Sequence, residues 1–168
     1  MPVADFEIAY GETELREGGY VNDPTDRGGE TCRGVARKFH PSWHGWPIVD
    51  QIKSDHPDDF IHRIDEDPQL AELTKQFFRD RFWQPILGDE IPNQHVANKL
   101  FDTGVNQGVA TSVRDLQDGV NLLNRNGRND ADIEVDGKMG PMTLVSLKAL
   151  LVLEKGQPDD LLKLLHIM

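Results

Sequence analysis

Cysteine is almost absent from this chain of 168 residues. Cys32 is the only one, so an intramolecular disulfide cannot form. No Cys-His signature surrounds it. We therefore expect a small, partly buried thiol and not a catalytic nucleophile.

Basic residues are also scarce. The chain has 18 Lys and Arg against 29 Asp and Glu, which gives a net charge of −11. Proteins that bind nucleic acids need clustered Lys and Arg to neutralise phosphates, and docking on an anionic membrane needs a similar basic patch. The composition argues against both kinds of partner.

Long apolar runs are missing as well, and the first residues do not have the pattern of a leader sequence. No stretch approaches the ~20 apolar residues of a membrane span, so we expect no membrane insertion. The first residues, MPVADFEIAYGETEL, carry acids where a signal peptide has a basic region and an apolar run. We expect synthesis in the cytoplasm without a signal peptide, and delivery by another factor if the protein acts outside it.

The residues that are present favour helices. Hydrophobic residues make up 38% of the chain, near the globular norm. Apolar spacing, Pro at helix starts and the capping residues Asp67 and Asn93 predict a series of helices. These predicted helices begin near residues 6, 35, 46, 57, 68, 94, 110, 141 and 159. We predict a mainly α fold with a small β-hairpin or irregular loop near residues 20–33.

One stretch carries more acids than a surface turn needs. Residues 17–31 read EGGYVNDPTDRGGET. Glu17 follows the first predicted helix at its C-terminal end, where the helix dipole disfavours a carboxylate and raises its pKa. A raised pKa suits a general acid near neutral pH. The alternative is an exposed glutamate at a fraying helix end.

Two further residues of this stretch complete a possible catalytic set. Asp26 and Thr31 could fold back toward Glu17 on a hairpin. Glycosidases commonly use two carboxyl groups, one as acid and one to activate water or stabilise the cation, and a hydroxyl can hold the water. Asp23 and Glu30 remain alternatives for the second carboxylate, although Asn-Asp-Pro is a common turn starter.

The segment EGGYVNDPTDRGGETCRGVA resembles the signature of the glycoside hydrolase family 108 muramidases. HPSWHGWPIVD, LFDTGVNQG and the turn VDGKMGPMT, similar to the family's C-terminal peptidoglycan-binding segment, extend the resemblance over nearly the whole chain. The resemblance implies a lysozyme-like helical fold, cleavage of glycan strands beside N-acetylmuramic acid, and Glu17 as catalytic acid. The Glu–Asp–Thr order also resembles that of phage lysozymes with a catalytic hairpin, which suggests Asp26 and Thr31 by analogy.

Other residues are candidates for contact with the substrate. Trp43 and Trp46 could stack on sugar rings or anchor the core. Asp102 and Asn106 lie about one helical turn apart and face either the cleft or solvent. Within the hairpin stretch, the candidates are Tyr20, Asp23 and Glu30.

No metal site is predicted. His40 and His44 have the spacing of a helical metal site, but Pro41 and Gly45 do not suit a helix there. Residues 132–143 partly match a calcium loop, yet position 12 is a threonine where a bidentate glutamate is needed. We expect no metal and no cofactor.

The sequence therefore predicts two regions that pack as one compact unit: a lysozyme-like catalytic region, 1–90, and a helical region with the peptidoglycan-binding-like segment, 91–168. The predicted function is hydrolysis of the β-1,4 bond between N-acetylmuramic acid and N-acetylglucosamine by a monomer. A phage endolysin released by a holin and a secretion-associated wall hydrolase both fit. A non-catalytic peptidoglycan-binding protein and a chitinase-like hydrolase are the alternatives.

Overall fold

The computed structural model describes residues 3–14, 19–22, 29–124, 131–153 and 159–167. Helices dominate these residues, which confirms the predicted mainly α fold. They are α1 (Phe6–Glu14), α2 (Trp46–Asp55), α3 (Phe60–Glu66), α4 (Pro68–Phe78), α5 (Gln94–Gln107), α6 (Val109–Leu123), α7 (Pro141–Leu153) and α8 (Asp159–Ile167). A π-helical turn, Arg79–Trp83, and two 3₁₀ turns, Gln84–Ile86 and Gly88–Glu90, follow α4.

The chain divides into two compact units. One contains Met1–Ala9 and Arg79–Met168, and the other contains Tyr10–Phe78. The sequence-based division into regions 1–90 and 91–168, packed as one compact unit, remains a prediction. None of the helices in the described residues is long and apolar enough to cross a membrane.

The unit Tyr10–Phe78 contains a small antiparallel sheet in the order β1–β2–β3. Its strands are β1 (Tyr20–Asn22), β2 (Glu30–Cys32) and β3 (Val35–Ala36). The hairpin predicted near residues 20–33 is therefore present.

The helix predicted to start at residue 35 is wrong, because Val35–Ala36 forms a strand paired with β2. Arg33 and Gly34 connect the two strands with φ values of 48° and 80°. A two-residue hairpin loop with positive φ at both positions matches the right-handed twist of the strands it joins. The turn therefore sends the chain back along β2 before a helix can begin.

The predicted helix caps are confirmed. The Asp67 carboxylate accepts a hydrogen bond of 2.8 Å from the amide of Leu70 at the start of α4. The Asn93 side chain accepts one of 3.1 Å from the amide of Val96 in α5. Each cap satisfies a backbone donor that the first helical turn leaves without a partner.

An aromatic cluster lies in the core of the unit that contains Arg79–Met168. Phe6, Trp83 and Phe101 are at most 2% exposed, and their ring centroids lie 5.7–5.9 Å apart in tilted or edge-to-face pairs. The indole nitrogen of Trp83 donates to Asp89 at 2.8 Å. The buried ring thus keeps a polar partner, as buried tryptophans usually do.

Residues 131–140 form the predicted turn before a helix. The buried Gln117 side chain of α6 accepts from the amide of Gly137 at 2.9 Å and donates to Asp136 at 2.9 Å. Asp132 instead accepts from Asn124 at 3.1 Å. Among the described residues, no group of three or more His, Cys, Asp or Glu is arranged to hold a metal ion.

Gly45 lies against the Trp43 ring, and this contact gives a stability prediction. A Cβ at Gly45 would lie 2.3 Å from the ring, although its φ of −73° suits any residue. We expect Gly45→Ala to lower the free energy of unfolding by about 1–3 kcal/mol through overpacking. Urea unfolding followed by tryptophan fluorescence measures the change.

Gly11→Ala is the matched control, because nothing lies within 4 Å of its Cβ position in α1. Alanine in a helix interior should leave stability unchanged or raise it by about 0.5–1 kcal/mol. A Gly45→Ala variant as stable as wild type would contradict the close packing of Trp43.

Candidate active site

The hairpin brings residues 20–22 beside residues 30–32. In the β1–β2 register, Asn22 pairs with Glu30 and Tyr20 pairs with Cys32. The segment 23–28 connects the two strands in the chain. Glu17, Asp23 and Asp26 lie outside the described residues, so their roles stay predictions.

The pleat of the sheet separates Thr31 from Glu30. Successive side chains of a strand point to opposite faces, so the side chains of Glu30 and Thr31 lie on opposite faces of the sheet. Tyr20, Cys32 and Val35 share the Glu30 face and are at most 7% exposed. Asn22, at the end of β1, lies on the same face and is exposed.

Thr31 lies on the other face of the sheet. Its paired neighbour there, Val21, is 49% exposed. The Thr31 hydroxyl donates a long hydrogen bond of 3.4 Å to the carbonyl of Gly29. Thr31 is therefore on the more open side of the hairpin, where a ligand can approach.

The Glu30 carboxylate is held by three donors. Tyr20 donates to Oε1 at 2.6 Å, Lys53 donates to Oε1 at 2.7 Å, and Arg37 donates to Oε2 at 2.6 Å. Only 13% of the Glu30 side chain is exposed. The tyrosine reaches Glu30 diagonally across the strand pair, a separation that a long aromatic side chain can span.

Two cations connect this carboxylate to α2. Lys53 belongs to α2 and also donates to the Tyr20 hydroxyl at 2.9 Å. Arg37 forms a two-pronged pair with Asp50, also on α2, and its guanidinium stacks 4.6 Å above the Trp46 ring. Tyr20, Glu30, Arg37, Asp50 and Lys53 are called the Glu30 cluster below.

The electrostatics of the cluster keep Glu30 ionised. Burial by itself raises the pKa of Glu30, but the hydrogen bonds from Lys53, Tyr20 and Arg37 outweigh it and lower the pKa to about 2. Burial, followed by the bond to Glu30, raises the pKa of Tyr20. Near neutral pH, Glu30 is thus a carboxylate with no proton to give, and Tyr20 is a neutral donor.

The tryptophans of the 40–47 loop lie in the core. Trp43 is 8% exposed and Trp46 is 2% exposed, and their rings meet edge to face at 5.2 Å. Their indole nitrogens donate to the carbonyls of Leu73 and His40. This placement matches the core-anchor alternative, since neither ring offers an open face for stacking on a sugar.

Asp102 and Asn106 meet on α5. The Asn106 amide donates to the Asp102 carbonyl at 2.8 Å and to its carboxylate at 3.3 Å. Asn106 is exposed and Asp102 is partly exposed. Both are accessible within their own unit, and a role in substrate binding stays a prediction.

The sequence reasoning missed three members of the Glu30 cluster: Arg37, Asp50 and Lys53. The sequence contains only a weak signal for these three residues. Asp50 and Lys53 are three positions apart on a predicted helix and thus share a face, but many solvated helices carry such a pair. The carboxylate partner of Lys53, Glu30, is 23 positions away in the chain.

Comparisons with known proteins agree with this architecture. The family model described as Glycosyl hydrolase 108 matches residues 11–108, more than half of the chain. The solved structure titled "Structure of Brucella abortus SagA" is similar in fold, with a TM-score of 0.59 and 22% sequence identity, over 95% of this chain and 74% of that one. A comparison with curated protein sequences finds no match.

The family match includes the whole hairpin sheet, the Glu30 cluster and the stretch with Glu17 and Asp26. The chain belongs to the glycosyl hydrolase 108 family and is a glycoside hydrolase.

Proposed function

We propose that the protein is a muramidase that hydrolyses the β-1,4 bond between N-acetylmuramic acid and N-acetylglucosamine in peptidoglycan. Family membership supports the glycosidase chemistry. The motif EGGYVNDPTDRGGET, typical of the family's muramidases, supports the choice of substrate. The observation that carries the proposal is the hairpin. Thr31 lies on its more open face, and in the sequence it directly follows the acid-rich residues 17–30.

In the proposed mechanism, Glu17 protonates the leaving glycosidic oxygen. Asp26 activates a water molecule or stabilises the oxocarbenium-like transition state on the other side of the sugar. The Thr31 hydroxyl orients the water. Proton transfer by a positioned side chain contributes about 10²- to 10⁴-fold to such reactions, and this is the contribution that we assign to Glu17.

The second carboxylate is better assigned to segment 23–28 of the chain than to Glu30. Both Glu30 oxygens accept hydrogen bonds from the cluster, and the side chain lies on the face away from Thr31. A base must reach the water that it activates. This geometry argues against Glu30, and we keep Asp26 as the proposed second carboxylate with Asp23 as the alternative.

The proposed place of action is the cell wall. An endolysin reaches peptidoglycan after a holin opens the membrane, and a secretion-associated hydrolase reaches it with its export machinery.

Mass spectrometry of the products from purified peptidoglycan tests the proposed bond. We expect new reducing ends on N-acetylmuramic acid, because the acid protonates the oxygen that leaves with N-acetylglucosamine. Reducing-end N-acetylglucosamine or cleaved stem peptides would refute the muramidase. Binding to insoluble peptidoglycan without release of reducing ends would favour a binding protein, and cleavage of soluble chitooligosaccharides alone would favour a chitinase-like enzyme.

A further inference from the structure

The Glu30 cluster joins the hairpin to α2 at one residue. The backbone of Glu30 takes part in the sheet, because it pairs with Asn22 in β1 and its carbonyl accepts from the amide of Arg37 at 2.8 Å. Its side chain is bonded to Lys53 of α2 directly and to Asp50 of α2 through Arg37. The start of β2 is thus attached both to its neighbouring strand and to a helix.

This attachment is stronger than an ordinary surface ion pair. Exposed pairs hold long side chains in place only weakly because water competes for both partners. Here the carboxylate is mostly buried, with 13% of its side chain exposed, while Lys53 and Arg37 each keep 31% exposure. Hydrogen bonds in which the donor or the acceptor is ionised are about twice as strong as neutral ones, and Glu30 accepts three of them.

Thr31 depends on this attachment for its orientation. Thr31 follows Glu30 directly in β2. When the Glu30 side chain is fixed on one face of the sheet, the Thr31 side chain must therefore point to the opposite face. Among the described parts of the chain, its own hydroxyl makes a single long hydrogen bond, of 3.4 Å, to the carbonyl of Gly29. A rotation or slip of β2 would move the hydroxyl, and a one-residue slip would turn it to the wrong face.

We propose that Glu30, held by Lys53 and Arg37, is a positioning residue for the glycosidase reaction and fixes β2 so that Thr31 presents its hydroxyl to the reacting water. The inference rests on the proposed role of Thr31 in the hydrolysis. Glu30 itself touches neither the sugar nor the water. Its effect travels through one peptide bond to the neighbouring side chain.

Lys53→Met tests the proposal, since it removes the cation and keeps most of the apolar stem. On solubilised glycan strands we expect kcat to fall about tenfold with KM changed less than about twofold, because a shift of about 1 Å in a positioning group can cost up to 10²-fold. Lys53→Arg restores the charge and should recover most of kcat. Arg63→Met is the matched control, as it breaks an exposed pair with Asp59 in the same unit.

A double-mutant cycle separates positioning from general support of the fold. If Lys53 acts through Thr31, the loss in Thr31→Ala with Lys53→Met should be smaller than the product of the two single losses. Purely structural damage would multiply with the loss at Thr31. Independent effects, or a kcat of Lys53→Met equal to that of wild type, would overturn the proposal.

Two further variants keep the outcomes distinct. If Lys53→Met does not fold by circular dichroism, Tyr20→Phe removes one donor from Glu30 and keeps the ring contact with Phe60, and the same cycle applies to it. Suppose that the wild type is active, that Glu17→Gln abolishes this activity, and that substitutions in the Glu30 cluster leave kcat unchanged. This result would overturn the inference about Glu30 and leave the proposed function intact. A wild type that releases no sugar from glycan strands overturns the proposed function and this inference together.

Discussion

Replacing Glu17 with glutamine is expected to lower kcat on purified peptidoglycan by about 10²- to 10⁴-fold. Glutamine has nearly the same shape but no acidic proton that it can transfer, so the leaving glycosidic oxygen would depart as an unprotonated alkoxide. Substrate binding should change little, since the general acid acts mainly in the transition state. The measurement is the initial rate of reducing-end release from solubilised glycan strands.

Glu12→Gln is the matched control for that experiment. Glu12 is an exposed residue of α1, and the substitution removes the same charge from the same part of the chain. It should leave kcat near the wild-type value. A Glu17→Gln enzyme that folds normally and keeps nearly full lytic activity would remove Glu17 from the mechanism and with it the proposed catalytic set.

Local signals in the sequence were sufficient for the helices and their caps. Asp67 and Asn93 act within three residues of their partners, so the pattern contains all the needed information. The buried stripe of α4 is Leu70, Thr74 and Phe78, four residues apart as in a regular helix. The sequence did not reveal the π-helical turn at Arg79–Trp83, which breaks this period before Trp83.

Non-local contacts explain what the sequence did not reveal. Val35 and Ala36 look like a helix start, and only their pairing with β2 across the Arg33–Gly34 turn makes them a strand. The positive φ of Arg33 is uncommon for a residue with a side chain, so the conformational preferences of the residues did not predict this turn. Trp43 and Trp46 fit a core or a sugar site equally well until burial is known.

In the candidate site, too, the sequence reveals what depends on local signals and not what depends on non-local contacts. The order Glu17, Asp26, Thr31 could be read from the chain because the three lie within fifteen residues. The alternation of β2 places Thr31 and Glu30 on opposite faces, and this depends on a strand boundary that sequence does not determine. The Lys53–Glu30 pair requires α2 to pack against the sheet, a tertiary contact.

Glu30→Gln is expected to lower the free energy of unfolding by about 2–4 kcal/mol near neutral pH. Removing one partner of a buried ion pair costs about 3–5 kcal/mol because the other charge is left uncompensated. Lys53 and Arg37 are each 31% exposed, so water can solvate part of the positive charge that loses its partner. Such a loss corresponds to a melting temperature roughly 5–15 °C lower for a domain of this size.

The stability difference between wild type and Glu30→Gln should also shrink in acid. The folded pKa of about 2 lies below the ordinary value of 4.5, so the unfolded chain binds this proton first and acid favours unfolding. The contribution of Glu30 is complete above about pH 4.5 and is lost as the pH falls toward 2. Thermal unfolding of both proteins from pH 7 to pH 2 measures this convergence.

Asp59→Asn is the control for the pH series, because Asp59 forms an exposed pair with Arg63 in which both side chains are about half accessible. Water already solvates that pair, so the substitution should change the melting temperature little at any pH. A constant gap between wild type and Glu30→Gln down to pH 2 would contradict an ionised Glu30 held by Lys53 and Arg37. Convergence of the two curves would show that the charge of Glu30, and not its packing alone, attaches β2 to α2.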